Sequence, residues 1–144
     1  PTYTNLIDEI SLFLQESIEF AESNGVSPRR IIIDPGIGFG KAIQDNLEIL
    51  RQLNQFRKLG KPMLIGTSRK SFIGFTLDLP IEERIEGTLA SITAGVINGA
   101  RIVRVHDIRA TRRTLTITEK IMGLNLLYMK MDLVEKLQLK ILFV

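Results

Sequence analysis

The chain has no cysteine and no tryptophan, a single histidine, and only 6% aromatic residues across its 144 positions. Without cysteine there are no disulfides and no thiolate metal sites, and a reducing compartment suits the chain. Charge of neither sign dominates: 19 Lys and Arg against 16 Asp and Glu leave a formal net charge of +3. The basic residues are scattered apart from Arg109, Arg112 and Arg113, with few aromatics between them, so the usual footprint of a nucleic-acid binder is missing. Long apolar runs are missing as well. The stretch from Leu124 to Val144 is apolar but broken by Lys130, Asp132, Glu135, Lys136 and Lys140, which rules out a simple membrane span. The first residues show no basic-then-apolar leader, and a cytoplasmic location is expected.

What is present is ordinary for a globular domain: 44% hydrophobic and 24% charged residues, in a chain long enough to bury one core. Ile7, Ile10, Leu14, Ile18 and Ala21 recur every three or four residues and predict a helix that Asn24-Gly25 stops. Ile31-Ile32-Ile33 is β-branched and unrelieved by polar residues, the mark of a strand covered on both faces. Asp45 and Glu48 resemble a capping box opening a second helix, carried by Leu47, Leu50, Leu53 and Phe56 and ended at Gly60. Met63-Leu64-Ile65 predicts a second strand. After Pro80, the apolar face of Ile85, Leu89, Ile92 and Val96 predicts a third helix that Asn98-Gly99 stops. Ile102 to Val105 reads as a third strand, and Asp107 as the N-cap of a last helix running to about Met122. Alternating order of this kind predicts an αβ protein with parallel strands.

Three polar stretches lie where these apolar strands end: Asp34-Pro-Gly-Ile-Gly-Phe-Gly-Lys41, Gly66-Thr-Ser-Arg-Lys-Ser71 and Arg101-Ile-Val-Arg-Val-His-Asp107. Strand tips are where parallel αβ proteins carry their chemistry. The carboxylate of Asp34 suits two adjacent N–H donors of an amino-pyrimidine, although a turn aspartate before Pro-Gly would look the same. Gly36, Gly38 and Gly40 make a flexible loop whose spacing fits neither standard phosphate-loop pattern. Phe39 between two glycines is badly placed for core packing and well placed to close over a flat ligand. Ser71, at the start of a short helix, offers its hydroxyl and N–H to an anion, and Lys70 offers a charge or a donor; a solvated basic turn with an N-cap is the plainer alternative. Arg104 and His106 alternate along the third strand and so share one side. A lone histidine is more often structural than catalytic. An arginine beside it at a strand's C-terminal end is the arrangement that holds a phosphate in a barrel.

Taken together, DPGIGFGK, GTSRKSFIG and RVHD, with Asn46-Leu47, Arg84 and Glu86-Gly87-Thr88-Leu89-Ala90, closely resemble dihydropteroate synthase over roughly Leu6 to Met122. The resemblance implies a (β/α)8 TIM barrel that joins 6-hydroxymethyl-7,8-dihydropterin diphosphate to 4-aminobenzoate, releasing diphosphate and 7,8-dihydropteroate. It implies substrate contacts from Asp34, Gly38, Phe39, Gly66, Lys70, Ser71, Arg104 and His106, with Lys70, Arg104 and His106 catalytic. It further implies magnesium, sulfonamide sensitivity, and a homodimer formed through the C-terminal helices. Three parallel strands cannot close a barrel. The expectation is therefore a C-terminal portion holding strands six to eight over residues 1–123, with the magnesium ligand in an upstream segment. The tail 124–144 is expected to be an amphipathic helix on Leu126, Met129, Leu133, Leu137 and Ile141. A pterin-dependent methyltransferase, or a non-catalytic assembly module, are the competing readings. The lysine-serine tip and the Arg-x-His pair argue against the methyltransferase, because methyl transfer has no diphosphate to hold.

Overall fold

The computed structural model describes residues 3–123 and 140–143. Helix α1 (Leu6–Ser23) begins at Asn5, whose side chain accepts the N–H of Asp8 while Glu9 accepts the N–H of Asn5. Strand β1 (Ile31–Asp34) is buried along its whole length, as a strand covered on both faces must be. Helix α2 (Ile43–Arg51) follows, then strand β2 (Leu64–Ile65), helix α3 (Ser71–Leu77) and helix α4 (Ile85–Ile97). Strand β3 (Ile102–Val103), helix α5 (Ile108–Met122) and strand β4 (Lys140–Phe143) complete the described order.

Among the described residues all strand pairings are parallel. β1 pairs with β4 and β2 with β3, and a parallel bridge between Ile33 and Met63 joins the two pairs. The resulting order is β4-β1-β2-β3. The core lies between this sheet and the helices: Ile10, Leu14 and Ile18 of α1 meet Ile31 and Ile33, while Ile49, Leu53, Phe56, Ile65, Ile92 and Val96 continue the same cluster. The strands end on one side, and all three polar stretches leave the sheet there.

Two expectations are corrected, and a third lies almost wholly outside the described residues. The second helix does not run unbroken to Gly60. It starts after Ala42, whose N–H Asp45 accepts at 2.9 Å, and gives way to a tighter 3-10 segment over Leu53–Leu59. Leu47, Leu50, Leu53 and Phe56 are spaced by three throughout, which is the 3-10 period rather than 3.6. Asp107 stands at the N-cap position of α5 but its side chain makes no cap bond, being bound elsewhere. The tail helix expected over 124–144 falls almost entirely outside the described residues. Where description resumes, Ile141, its last expected position, belongs to β4 and pairs with Ile32.

Candidate functional site

Asp34 closes β1 with only 3% of its surface exposed, and its Oδ1 accepts the N–H of Gly36 at 2.9 Å. Burial pushes its carboxyl above the usual aspartate value, opposed by that N–H and by the charges of Arg104, Lys70 and Lys41. A carboxylate kept dry among three cations is held ready for N–H donors.

The loop after β1 is built by the chain itself. Gly38 has φ +82°, and its N–H donates to Oδ1 of buried Asn46 at 2.6 Å. Asn46 in turn donates to the carbonyl of Ala42 at 2.8 Å. Lys41 donates from Nζ to the carbonyl of Gly36 at 3.0 Å, and burial lowers its pKa. A Cβ on Gly38 would run into the side chain of Lys70, so this glycine gives both a left-handed turn and a close crossing.

Lys70 reaches this loop from the tip of β2. Its Nζ donates to the carbonyl of Ile37 and lies 4.1 Å from the centroid of the Phe39 ring, a cation–π contact. Burial takes its pKa down to about 8; Arg104 and Lys41 push the same way, and Asp34 opposes them. Phe39 remains 52% exposed on its glycine-flanked loop. Ser71 is exposed at the first turn of α3, with Lys70 at its N-cap.

From the tip of β3, Arg104 lays its guanidinium against Gly66, where any Cβ would stand 3.0 to 3.4 Å from it. Its backbone N–H donates to Ile65 at 2.9 Å, so adjacent strands fix its origin. His106 is tied by its ring Nδ1 to the hydroxyl of buried Ser68 at 2.8 Å, and its N–H donates to the same oxygen at 3.1 Å. Nε2 is then the ring nitrogen that a ligand can use. Asp34, Lys70 and Arg104 thus act on one another electrically, Gly38, Phe39 and Gly66 frame them, and His106 is joined through Ser68.

Several contributors were not picked out by residue chemistry alone: Asn46 under the loop, Lys41 behind it, Ser68 behind His106, and Arg69 paired with Asp107. Ser68 and Arg69 stand inside the GTSRKS stretch, so the signal was present but unassigned. A surface hollow of about 540 Å3 lies elsewhere, between α1 and β4 against Phe13, Phe20 and Leu142. It is mainly apolar and touches none of the candidate residues, so the convergence of polar groups, rather than concavity, locates the site. Among the described residues no group of three or more His, Cys, Asp or Glu is gathered to hold a metal ion. No helix among them is long and apolar enough to cross a membrane.

A family model described as pterin binding enzyme matches residues 1–106. The chain belongs to the pterin-binding enzymes. Within that family it is similar to several dihydropteroate synthases. That of Clostridium beijerinckii is 48% identical over 118 residues, covering 81% of this chain and 44% of that protein. The Yersinia pestis dihydropteroate synthase in a sulfonamide drug complex matches with a TM-score of 0.84 at 34% identity, over 85% of this chain and 45% of that one. The Xanthomonas albilineans enzyme in complex with 7,8-dihydropteroate gives 0.83 at 39% identity, over 87% and 48%. The chain therefore spans less than half the length of each of these relatives.

Proposed function

We propose that the chain is the C-terminal portion of a dihydropteroate synthase, carrying strands six to eight of its (β/α)8 barrel, and that the three strand tips form part of its substrate site. One observation carries this reading: the tips following three successive parallel strands cross one another, Lys70 from beyond β2 lying against Gly38 and Phe39 of the loop that follows Asp34, and Arg104 from beyond β3 lying against Gly66. Relatives sharing 34–48% identity, one of them binding 7,8-dihydropteroate, support the choice of substrates.

In this reading Asp34 accepts the two N–H groups of the pterin's amino-pyrimidine edge, and Lys70 donates to the pterin. Arg104 flanks the ring and, with His106, holds the diphosphate. Gly38 and Gly66 keep the walls thin enough for Lys70 and Arg104 to lie along them, while Phe39, Lys70 and Ser71 border the 4-aminobenzoate. The bond from the pterin methylene to the diphosphate oxygen breaks, its electron pair leaving with the diphosphate, where cationic groups stabilise it. The amine nitrogen of 4-aminobenzoate then bonds to the methylene and gives its proton to water. No side-chain nucleophile is needed. The magnesium that the family implies is assigned no ligand in this chain. Self-association through the C-terminal helices is part of the same proposal, supported by Ile108, Ile117 and Ile121 standing exposed on α5.

The test supplies 6-hydroxymethyl-7,8-dihydropterin diphosphate and 4-aminobenzoate to the longer protein that contains these residues. Formation of 7,8-dihydropteroate with release of diphosphate is expected. Absence of both products, or methyl transfer from methyltetrahydrofolate that does not depend on 4-aminobenzoate, overturns the assignment.

A further inference from the structure

We propose that Arg69, Asp107 and Arg84 form a clamp that fixes the tip bearing Lys70 and Ser71 against the tip bearing His106, which makes them positioning residues for the site. The inference rests on the functional reading above, and its test is separable from it.

The sheet alone cannot hold these tips. β2 and β3 are registered at only two positions, Leu64 with Ile102 and Ile65 with Val103, and Lys70, Ser71 and His106 all lie beyond them. Past Ile65, side chains take over residue by residue. Thr67 accepts a hydrogen bond from Ser91 of α4 at 2.9 Å, and Ser68 holds His106. Arg69 is then bound on every side. Its N–H donates to buried Thr88 at 3.0 Å, its carbonyl accepts from Arg84 Nη1 at 3.0 Å, and its guanidinium meets Asp107 through two bonds of 3.0 and 2.7 Å. Arg84 is itself steadied by donating from Nε to the carbonyl of Leu79 at 3.1 Å.

Arg69 has φ +57°, a left-handed conformation that few non-glycine residues adopt without support. This bend sends Lys70 back toward Gly38 and lets α3 begin at Ser71. Asp107 supplies a second sign that the pair has a job beyond packing. It occupies the N-cap position of the fifteen-residue α5, where its carboxylate would ordinarily accept a helix N–H, yet it makes the bidentate pair instead. Two planar groups joined by parallel bonds fix angle as well as distance, which a single lysine contact would not.

The test uses Asp107→Asn, Arg69→Ala and the exchanged pair Arg69→Asp with Asp107→Arg, in the chain as it stands. Asp tolerates the left-handed conformation that position 69 requires. The readout is the nuclear Overhauser contact of the Lys70 methylenes with Gly38 and the Phe39 ring, with the His106 ring shifts beside it. Both single variants are expected to lose the Lys70 contacts and move the His106 ring signals, while unfolding cooperatively. The exchanged pair is expected to recover them. The clamp is overturned if Asp107→Asn, the isosteric and milder change, keeps the wild-type contacts, or if the exchange leaves them as lost as in the single variants. In the longer protein the single variants are expected to lower kcat/KM at least about tenfold, with partial recovery in the exchanged pair. A wild-type protein making no pteroate while the clamp signals respond as described would reject the functional assignment and leave the clamp standing.

Discussion

Lys70 has a pKa depressed from 10.5 to about 8 by burial, and that fall has a measurable consequence for stability. Below about pH 8 the lysine is charged in both the folded and the unfolded chain, so the folded state carries the full cost of a half-buried cation. Between about pH 8 and 10.5 the unfolded chain still binds the proton and the folded chain has released it, so stability rises with pH. At about 1.4 kcal/mol per pH unit the full effect would be about 3 kcal/mol; screening of a half-exposed group by solvent reduces it to about 1–2 kcal/mol. Lys41 is depressed by burial in the same direction, so the wild-type slope alone does not isolate Lys70. The informative quantity is the difference between the wild type and Lys70→Met in urea denaturation at about pH 7 and about pH 10. Loss of the bond to Ile37 shifts both measurements of the variant equally and cancels. The wild type should gain about 1–2 kcal/mol on the variant between the two pH values, or about 0.5–1 M in urea midpoint at a slope typical of this size. Parallel pH dependences would refute the claim that Lys70 is held in a desolvated, cation-rich position.

Asp34→Asn removes the charge from the pairing with an amino-pyrimidine. Losing a charge-assisted bond worth about 1.5–3 kcal/mol predicts roughly 10- to 150-fold weaker pterin binding by calorimetry in the longer protein. The same change should raise the melting temperature at neutral pH. The raised carboxyl pKa means that Asp34 costs the folded state stability as pH climbs above the ordinary aspartate value of 3.8, a cost complete above the raised value, and the amide escapes this. Gly38→Ala forces an alanine into φ +82° and into the path of Lys70, predicting a loss of about 1–2 kcal/mol by thermal denaturation and a weaker Lys70–Phe39 contact. Gly74→Ala places a methyl on the Arg84 guanidinium, which should release the carbonyl of Arg69 and reproduce part of the Asp107→Asn spectrum.

The alternation of elements was open to reading because each uses one periodicity strongly. The β-branched Ile31-Ile32-Ile33 has no amphipathic face to give a helix, and the fourfold recurrence along α1 has no alternation to give a strand. The strand-end placement of the candidate residues was also legible, since charged groups directly after apolar strands have few places to go except the strand ends. What escaped was set by partners far away in the chain. Asp107 looks like a helix cap in any local window, and only Arg69, 38 residues earlier, takes it away. Asn46 reads as a helix residue, and its role appears only when the Gly38 N–H folds onto it. The pairing of β4 with β1 joins segments more than a hundred residues apart, which no local pattern encodes.

These distant partners share a physical logic. The strands are short, only two residues in β2 and β3, so ladder bonds end before the chemical residues begin. Beyond that point the backbone must find other hydrogen-bond partners. Here it finds side chains of neighbouring loops and helices: Asn46 for Gly38, Thr88 and Arg84 for Arg69, Ser68 for His106. Each of those polar groups satisfies backbone that would otherwise be stranded, and each thereby fixes one charged group of the site in direction. Precision at the tips thus comes from the polar satisfaction of a backbone that has run out of sheet. It follows that variants of these supporting groups should alter the geometry of Lys70 and His106 more than they alter the core around β1, α1 and α4.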